Sequence, residues 1–217
     1  SVSKNNKTSY TMVSYPKIGH FGRLGNQMFQ FAATVGIARA NGLRPRFPID
    51  NTIKPSTESF RDGVVRDVTF DIPKIFQIPN EFLIREEEIE LGPDRCEQHF
   101  HFDRSLLTVA EGTRLGGYMQ SEQYFNRYES AIRELFTFKE RVVEQARKSI
   151  FYKILRSCEN SVSIHVRRGD YVQLADFHPP CSAEYYKAAI DMWDGEGIKP
   201  HFFIFSDDPQ YCRQLFW

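Results

Sequence analysis

Arg167 and Arg168 are the residues of this 217-residue chain whose types and spacing most directly suggest chemistry. They end the β-type run Ser161–Val166 and are followed at once by Gly169, Asp170 and Tyr171. A guanidinium is permanently charged and forks onto phosphate oxygens, so an adjacent pair can neutralise a diphosphate leaving group without a metal. Asp170 could hold one of the arginines in the rotamer this requires. A solvated turn whose arginines pair with surface carboxylates explains the short string equally well.

A second group lies near the amino terminus, in Gly22-Arg23-Leu24-Gly25-Asn26-Gln27. Gly22 and Gly25 let backbone approach a ligand closely. Asn26 and Gln27 then fall near a helix amino terminus, where exposed N–H groups and the dipole favour a phosphate or a developing anion. Gly-Lys-Ser/Thr is absent, so this is not a P-loop. A tight turn with an Asn cap over an apolar helix is the plain alternative. The third group, Ser206, Asp207 and Asp208, follows the apolar run Phe202–Phe205 and precedes Pro209, a residue suited to the first helical position. A carboxylate there can accept paired N–H bonds from guanine, or can simply cap the helix.

Metal chemistry finds little support in the pattern. Asp207 and Asp208 are adjacent, and hard divalent ions usually need several converging oxygens. His20, His99, His101, His178 and His201 lack ligand spacing, and no Gly-x-Ser-x-Gly nucleophile elbow occurs. The expectation is no metal and no cofactor.

The elements that must position these groups read as an α/β chain. Ser9–Tyr15 predicts a short strand before Pro16, and Asn26–Arg39, apolar over nearly its whole circumference, predicts a buried helix stopped by Asn41-Gly42. Residues 51–104 are irregular, with an alternating Gln98–Phe102 stretch that fits an edge strand. Thr113–Met119 predicts another strand, and Ser121 caps a helical tract that runs to about Ser157 and bridges two lobes. Ser161–Val166, Ser182–Trp193 and His201–Phe205 then form strand, helix, strand, with Val162, Ile164 and Val166 on one face, which implies a parallel unit. The expected division is 1–157 and 158–217.

These strings carry a family resemblance. His165-Val166-Arg167-Arg168-Gly169-Asp170 is similar to a motif of the α-1,2- and α-1,6-fucosyltransferases, and Gly22 to Ala32 resembles the amino-terminal motif of the α-1,2 family, glycosyltransferase family 11-like. Its shorter GxxGNQ core also occurs in protein O-fucosyltransferases. The strand followed by Ser206-Asp207-Asp208, and Gly117 to Phe125 (GYxQSExYF), match further family segments in the family order.

The resemblance implies a GT-B-like two-lobed arrangement of Rossmann-like domains, the second truncated at its carboxy terminus. It also implies metal-independent, inverting transfer of L-fucose from GDP-β-L-fucose to the 2-hydroxyl of a terminal galactose on a glycan acceptor, through an oxocarbenium-like transition state. Arg167 and Arg168 would contact the β-phosphate, with Asp170 completing the catalytic set, and His165 would lie near the nucleoside. Gly22, Gly25, Asn26, Gln27, Ser206, Asp207 and Asp208 would bind donor, while 117–125 would serve the acceptor side. Spacing singles out no general base. Alternatives are a protein O-fucosyltransferase, a non-catalytic carbohydrate- or GDP-binding protein, and a glycoside hydrolase.

Bulk properties narrow the classes further. Lys plus Arg and Asp plus Glu balance at 28 each, so no global field favours nucleic acid or an anionic membrane. The 41% hydrophobic content supports a substantial core. No apolar run reaches the roughly 20 residues a membrane helix needs, so membrane attachment is expected only through a segment outside this chain. Cys96, Cys158, Cys181 and Cys212 are too dispersed for a zinc ribbon and leave free thiols or up to two disulfides. The sequon Asn6-Lys7-Thr8 and the even cysteine count favour a Golgi lumenal location, with the bacterial cytoplasm as the alternative. A start at Ser1, and an apolar end at Leu215, Phe216 and Trp217 inside a helical pattern, lead to the expectation of a fragment whose family carboxy-terminal motif lies beyond Trp217.

Overall fold

The structure is a computed structural model and describes residues 11–49, 58–59, 65–66, 69–89, 91–194 and 199–216. The sequon at Asn6, the start of the expected first strand at Ser9 and Tyr10, and Trp217 lie outside the described residues. In chain order the first elements are β1 (Met12–Ser14), α1 (Leu24–Ala40), β2 (Arg44–Pro48), β3 (Glu58–Ser59), β4 (Val65–Arg66), α2 (Ile72–Ile75), β5 (Leu83–Ile84), β6 (Asp94–Cys96), β7 (Arg114–Gly116), α3 (Glu129–Leu135) and α4 (Glu140–Arg147). Then come α5 (Ile150–Ser157), β8 (Ser161–Val166), α6 (Gly169–Gln173), α7 (Ala183–Asp194), β9 (His201–Ser206) and α8 (Pro209–Phe216). The chain separates into two compact units, Ser1–Val142 and Val143–Trp217.

The first unit is built on a five-stranded sheet in the order β5-β2-β1-β7-β6, every neighbouring pair parallel. Parallel neighbours need crossovers, and α1 supplies the one from β1 to β2. All three residues of β1 are buried, as a central strand covered on both faces must be. The apolar circumference read from the sequence makes α1 the core helix, with Phe31, Ala33, Val35, Ile37 and Ala38 fully buried and Phe31 stacked on Phe47 at 4.5 Å. A Cβ on Gly36 would lie 2.3 Å from the Tyr124 carbonyl oxygen, so only glycine admits that close approach. Asn41 and Gly42 end the helix as expected. Asn41 Nδ2 donates to the Ile37 carbonyl at 2.8 Å and to that of Leu107 at 3.0 Å, and Gly42 takes φ 66°.

Two expectations change in this unit. The alternating Gln98–Phe102 stretch forms bends, and the edge strand is Asp94–Cys96 instead. Its partner β7 stops at Gly116, and Gly117 then turns the chain at φ 101°, which leaves residues beyond Glu97 without a ladder. The tract after Ser121 is not one helix. Ser121 does cap, accepting from the Gln123 amide at 3.3 Å, but two 3₁₀ turns, α3, α4 and α5 follow as separate pieces. Between α3 and α4 the chain extends to bridge Phe138 with Phe76, and Lys139 N donates to Ile75 O at 2.9 Å.

In the second unit β8 and β9 run parallel, in register from Ser161 opposite His201 to Val166 opposite Ser206. Val166 is fully buried with Tyr186 and Cys212, and Ile164, Ile204, Tyr211, Leu215 and Phe216 pack around them. That face is the one predicted from Val162, Ile164 and Val166, and it is covered by residues of α7 and α8. On the opposite face, Phe151, Tyr152 and Leu155 of α5 border the same groove as Ser163, Phe203 and Phe205. The compact second unit begins at Val143, within α4, where the sequence suggested a division after residue 157. All four cysteines are free thiols.

Candidate functional site

The last register pair of the second unit, Val166 with Ser206, places the next residues of both strands side by side at their carboxyl ends. Arg167, Arg168, Asp207 and Asp208 therefore emerge together, at the end of an open α/β sheet where ligands sit. Ser206 ties the two strand ends: its hydroxyl donates to Val166 O at 2.8 Å and accepts from Asp208 N at 2.9 Å. Asp207 accepts from the Arg168 amide at 2.8 Å. A Cβ on Gly169 would sit 2.6 Å from Asp207 Oδ2, so glycine is what lets that carboxylate approach.

Each guanidinium meets carboxylates from its own tip. Arg167 Nη2 donates to Asp170 Oδ1, the contact anticipated from the sequence. Its Nε lies 3.4 Å from Asp207 Oδ2, an ion pair without hydrogen-bond alignment, and is sealed from solvent with no hydrogen-bond partner among the described residues. Arg168 Nε donates to Asp208 Oδ2 at 3.1 Å, while its guanidinium carbon stands 3.7 Å from the centre of the Tyr211 ring. The two terminal amino groups of Arg168 make no hydrogen bond among the described residues. The side chains are 36% and 25% exposed for Arg167 and Arg168, so solvent screening keeps these pairs exchangeable. The Tyr211 amide, and after it Arg168, hold the Asp208 carboxyl below the usual aspartate range.

His165 is exposed on the face away from Val166, and its carbonyl accepts from Tyr186 OH at 3.5 Å. Burial, followed by the neighbouring Cys181, pushes the Tyr186 hydroxyl up to about 12. Tyr211 was not among the residues singled out from the sequence. The signal for it was its place three residues after Asp208, one helical turn away on the same face.

In the first unit the topology reverses at β1, which has β2 on one side and β7 on the other. The glycine turn follows the carboxyl end of β1, and the 117–120 segment follows that of β7, so both border the switch point. Gly19 and Gly22 adopt φ 94° and 91°. The Asn26 amide folds over Gly22, where a Cβ would lie 1.8 Å from Nδ2. Asn26 is the third residue of α1 and not its cap, which is Arg23 without a side-chain bond. Its Oδ1 accepts from Gln120 Nε2 at 2.8 Å, joining the glycine motif to the GYMQSEQYF segment. Gly25 is exposed, with open space where a Cβ would be.

Gln27 faces the other way. It is 1% exposed, donates to Thr69 O at 2.8 Å and accepts from Asp71 N at 2.8 Å, and so braces the 69–71 segment against α1. Glu97, which sequence reasoning did not single out, organises the turn after β7. Its Oε2 accepts from Met119 N at 2.7 Å and its Oε1 from Tyr124 OH at 2.8 Å, while Met119 holds φ 51°. Burial raises the hydroxyls of Tyr15 and Tyr124 well above the ordinary tyrosine value. Among the described residues no three His, Cys, Asp or Glu side chains converge as a metal-holding group, and no helix is long and apolar enough to cross a membrane.

Residues 101–216, more than half of the chain, match the model of glycosyl transferase family 11. An α-1,2-colitosyltransferase of Escherichia coli is 27% identical over 89% of this chain and 69% of its own length. Galactoside α-(1,2)-fucosyltransferase 1 of Bos taurus is 27% identical over 89% of this chain and 51% of its own, so the chain spans about half the length of that relative. Among solved structures, fucosyltransferase NodZ from Bradyrhizobium superposes with a TM-score of 0.55 at 11% identity, over 96% of this chain and 76% of that one. A crystal of NodZ α-1,6-fucosyltransferase soaked with GDP-fucose gives 0.53 at 11% identity, over 95% and 74%. At such identity the likeness is one of fold: α/β with a mostly parallel sheet.

Proposed function

Since the chain belongs to glycosyl transferase family 11, the family of α-1,2-fucosyltransferases, we propose that it carries the donor-binding machinery of an inverting enzyme that moves L-fucose from GDP-β-L-fucose to the 2-hydroxyl of a terminal galactose. The observation that carries this reading is the guanidinium pair at the β8–β9 tip. Arg168 is held from its Nε side with its terminal amino groups unpaired among the described residues, and Arg167 is held by Asp170. As the glycosidic bond to fucose lengthens, negative charge gathers on the departing diphosphate. Arg167 and Arg168 meet that charge in place, a form of stabilisation whose loss costs about 3 kcal/mol or more per donor. The reading gives the contacts to the diphosphate to arginine N–H groups and not to a metal, so turnover is expected to be independent of divalent ions and to survive a chelator.

Several further assignments belong to the same reading. The two units take the parts of donor and acceptor lobes in a GT-B-like enzyme, the second unit holding GDP-fucose and residues 117–125 serving the galactoside. Lumenal exposure of the Asn6 sequon, in the Golgi, completes it. The NodZ crystal soaked with GDP-fucose shares the fold, which supports a nucleotide-sugar donor. The Escherichia coli relative supports a second reading, in which colitose is the sugar transferred.

A single experiment separates these. The intact protein is assayed with GDP-fucose or a colitose donor against lactose, related galactosides and a folded peptide domain. Fucose appearing on the 2-hydroxyl of galactose, with chelator present, supports the first reading. Transfer to peptide alone, or release of free sugar without acceptor, overturns it.

A further inference from the structure

We infer that Tyr211 is a positioning residue for Arg168, holding the guanidinium flat so that its two terminal amino groups face the outer phosphate of the donor. The inference rests on the donor reading above and adds a residue to it.

An arginine that ends a strand has four side-chain torsions to settle, and an unconstrained guanidinium loses much of its entropy when it meets a phosphate. At the β8–β9 tip one contact fixes the backbone of Arg168 beforehand and two fix its side chain. The Arg168 amide is fixed by Asp207 at 2.8 Å, Nε is fixed by Asp208 at 3.1 Å, and the face of the group lies against Tyr211 with 3.7 Å from guanidinium carbon to ring centre. Stacking consumes none of the N–H donors, because all five lie in the guanidinium plane. Asp208 takes the donor on the Nε edge of that plane, which leaves the terminal amino groups without a partner among the described residues.

Asp208 and Tyr211 act as one bracket. Asp208 Oδ1 accepts from the Tyr211 amide at 3.0 Å while its other oxygen holds Arg168, so the carboxylate that orients the arginine also starts α8 and carries the ring into place. Tyr211 packs in turn against the cluster of Val166, Tyr186 and Cys212, so the bracket is anchored in the core of its own unit. Arg167 has a looser version of the arrangement, with its guanidinium carbon 5.0 Å from the Tyr171 ring on the short helix α6. The tighter stack therefore marks Arg168 as the arginine fixed before donor arrives.

The test is calorimetric titration of the intact chain with GDP and with GMP, which lacks the outer phosphate. Tyr211→Met keeps apolar bulk for the core but removes the π face, and Tyr211→Phe keeps the ring. For a stack of this kind Tyr211→Met weakens GDP binding about tenfold and GMP binding by less than about threefold, while Tyr211→Phe restores parental GDP affinity. Arg168→Lys, which retains charge without a planar face, reproduces the selective GDP loss and covers the case in which Tyr211→Met fails to fold. Equal losses for GDP and GMP in Tyr211→Met, or parental GDP affinity in a folded Tyr211→Met, overturn the role of Tyr211 and leave the donor reading standing. A parent chain that binds no GDP overturns the donor reading itself and the inference with it.

Discussion

Around the glycine turn of the first unit, one motif amide points inward: Gln27 is 1% exposed and spends both ends of its amide on Thr69 and Asp71. At the β8–β9 tip of the second unit, Arg167 and Arg168 keep 36% and 25% of their surface in solvent and meet carboxylates that a phosphate can displace. Both strings resemble the same family, yet they answer to different physics. A buried amide is specified by folding, because leaving its partners unsatisfied is costly. A half-exposed guanidinium contributes little to folding and is specified by what it binds. Asn26 stands between the two cases, reaching Gln120 from the edge of the turn.

The strongest way to break this contrast is to remove an arginine. Arg167→Ala or Arg168→Ala lowers fucosyl transfer by about 100- to 1000-fold, with circular dichroism unchanged. Parental turnover in both variants would remove the second region from the chemistry altogether. Gln27→Leu has the opposite profile. It leaves Asp71 N and Thr69 O without their partner and costs about 1–3 kcal/mol of stability, seen as a lower melting temperature, while GDP affinity stays parental. A fall in GDP affinity without a fall in melting temperature would mean that Gln27 contacts donor after all.

The smallest effect sharpens the second region alone. Asp208 has its carboxyl depressed in the folded protein by the Tyr211 amide and then Arg168, so its contact with Arg168 is present above the ordinary aspartate value and is lost as pH falls through the depressed one. Affinity measured against pH for GDP-fucose, whose esterified diphosphate has no proton that titrates near neutrality, is therefore flat between about 5 and 8 and declines only below about 4. Asp208→Asn removes that acid limb, and an unchanged limb in the variant assigns it to another carboxylate.

Much of the second unit was legible in advance. Alternation in Ser161–Val166 gives the buried face directly, since side chains on a strand alternate between its faces. Strand, helix, strand then requires parallel pairing, and parallel pairing puts Arg167 and Asp207 at the same end. The bracket on Arg168 was less legible: only the i, i+3 spacing of Asp208 and Tyr211 hinted at it. In the first unit the stop at Asn41-Gly42 and the all-round burial of α1 could be read, whereas the inward turn of Gln27 could not. Nothing local in Gln27 tells that Thr69 and Asp71 will arrive beside it.

The same division explains the elements that came out differently. The tract from Ser121 to Ser157 has a continuous helical pattern, but the chain between α3 and α4 pairs Phe138 with Phe76, far away in sequence. Gln98–Phe102 alternates like a strand, but β7 ends before it could be paired. What the sequence determined by itself is everything governed by near neighbours: periodicity, caps, glycine turns, and the charges carried at the end of a strand. Only the tertiary structure decided which distant groups meet, namely Glu97 with Met119 and Tyr124, Gln27 with the 69–71 segment, and Arg168 with Asp208 and Tyr211. Those partners are chosen by burial and hydrogen-bond satisfaction across the fold, and no local pattern encodes them.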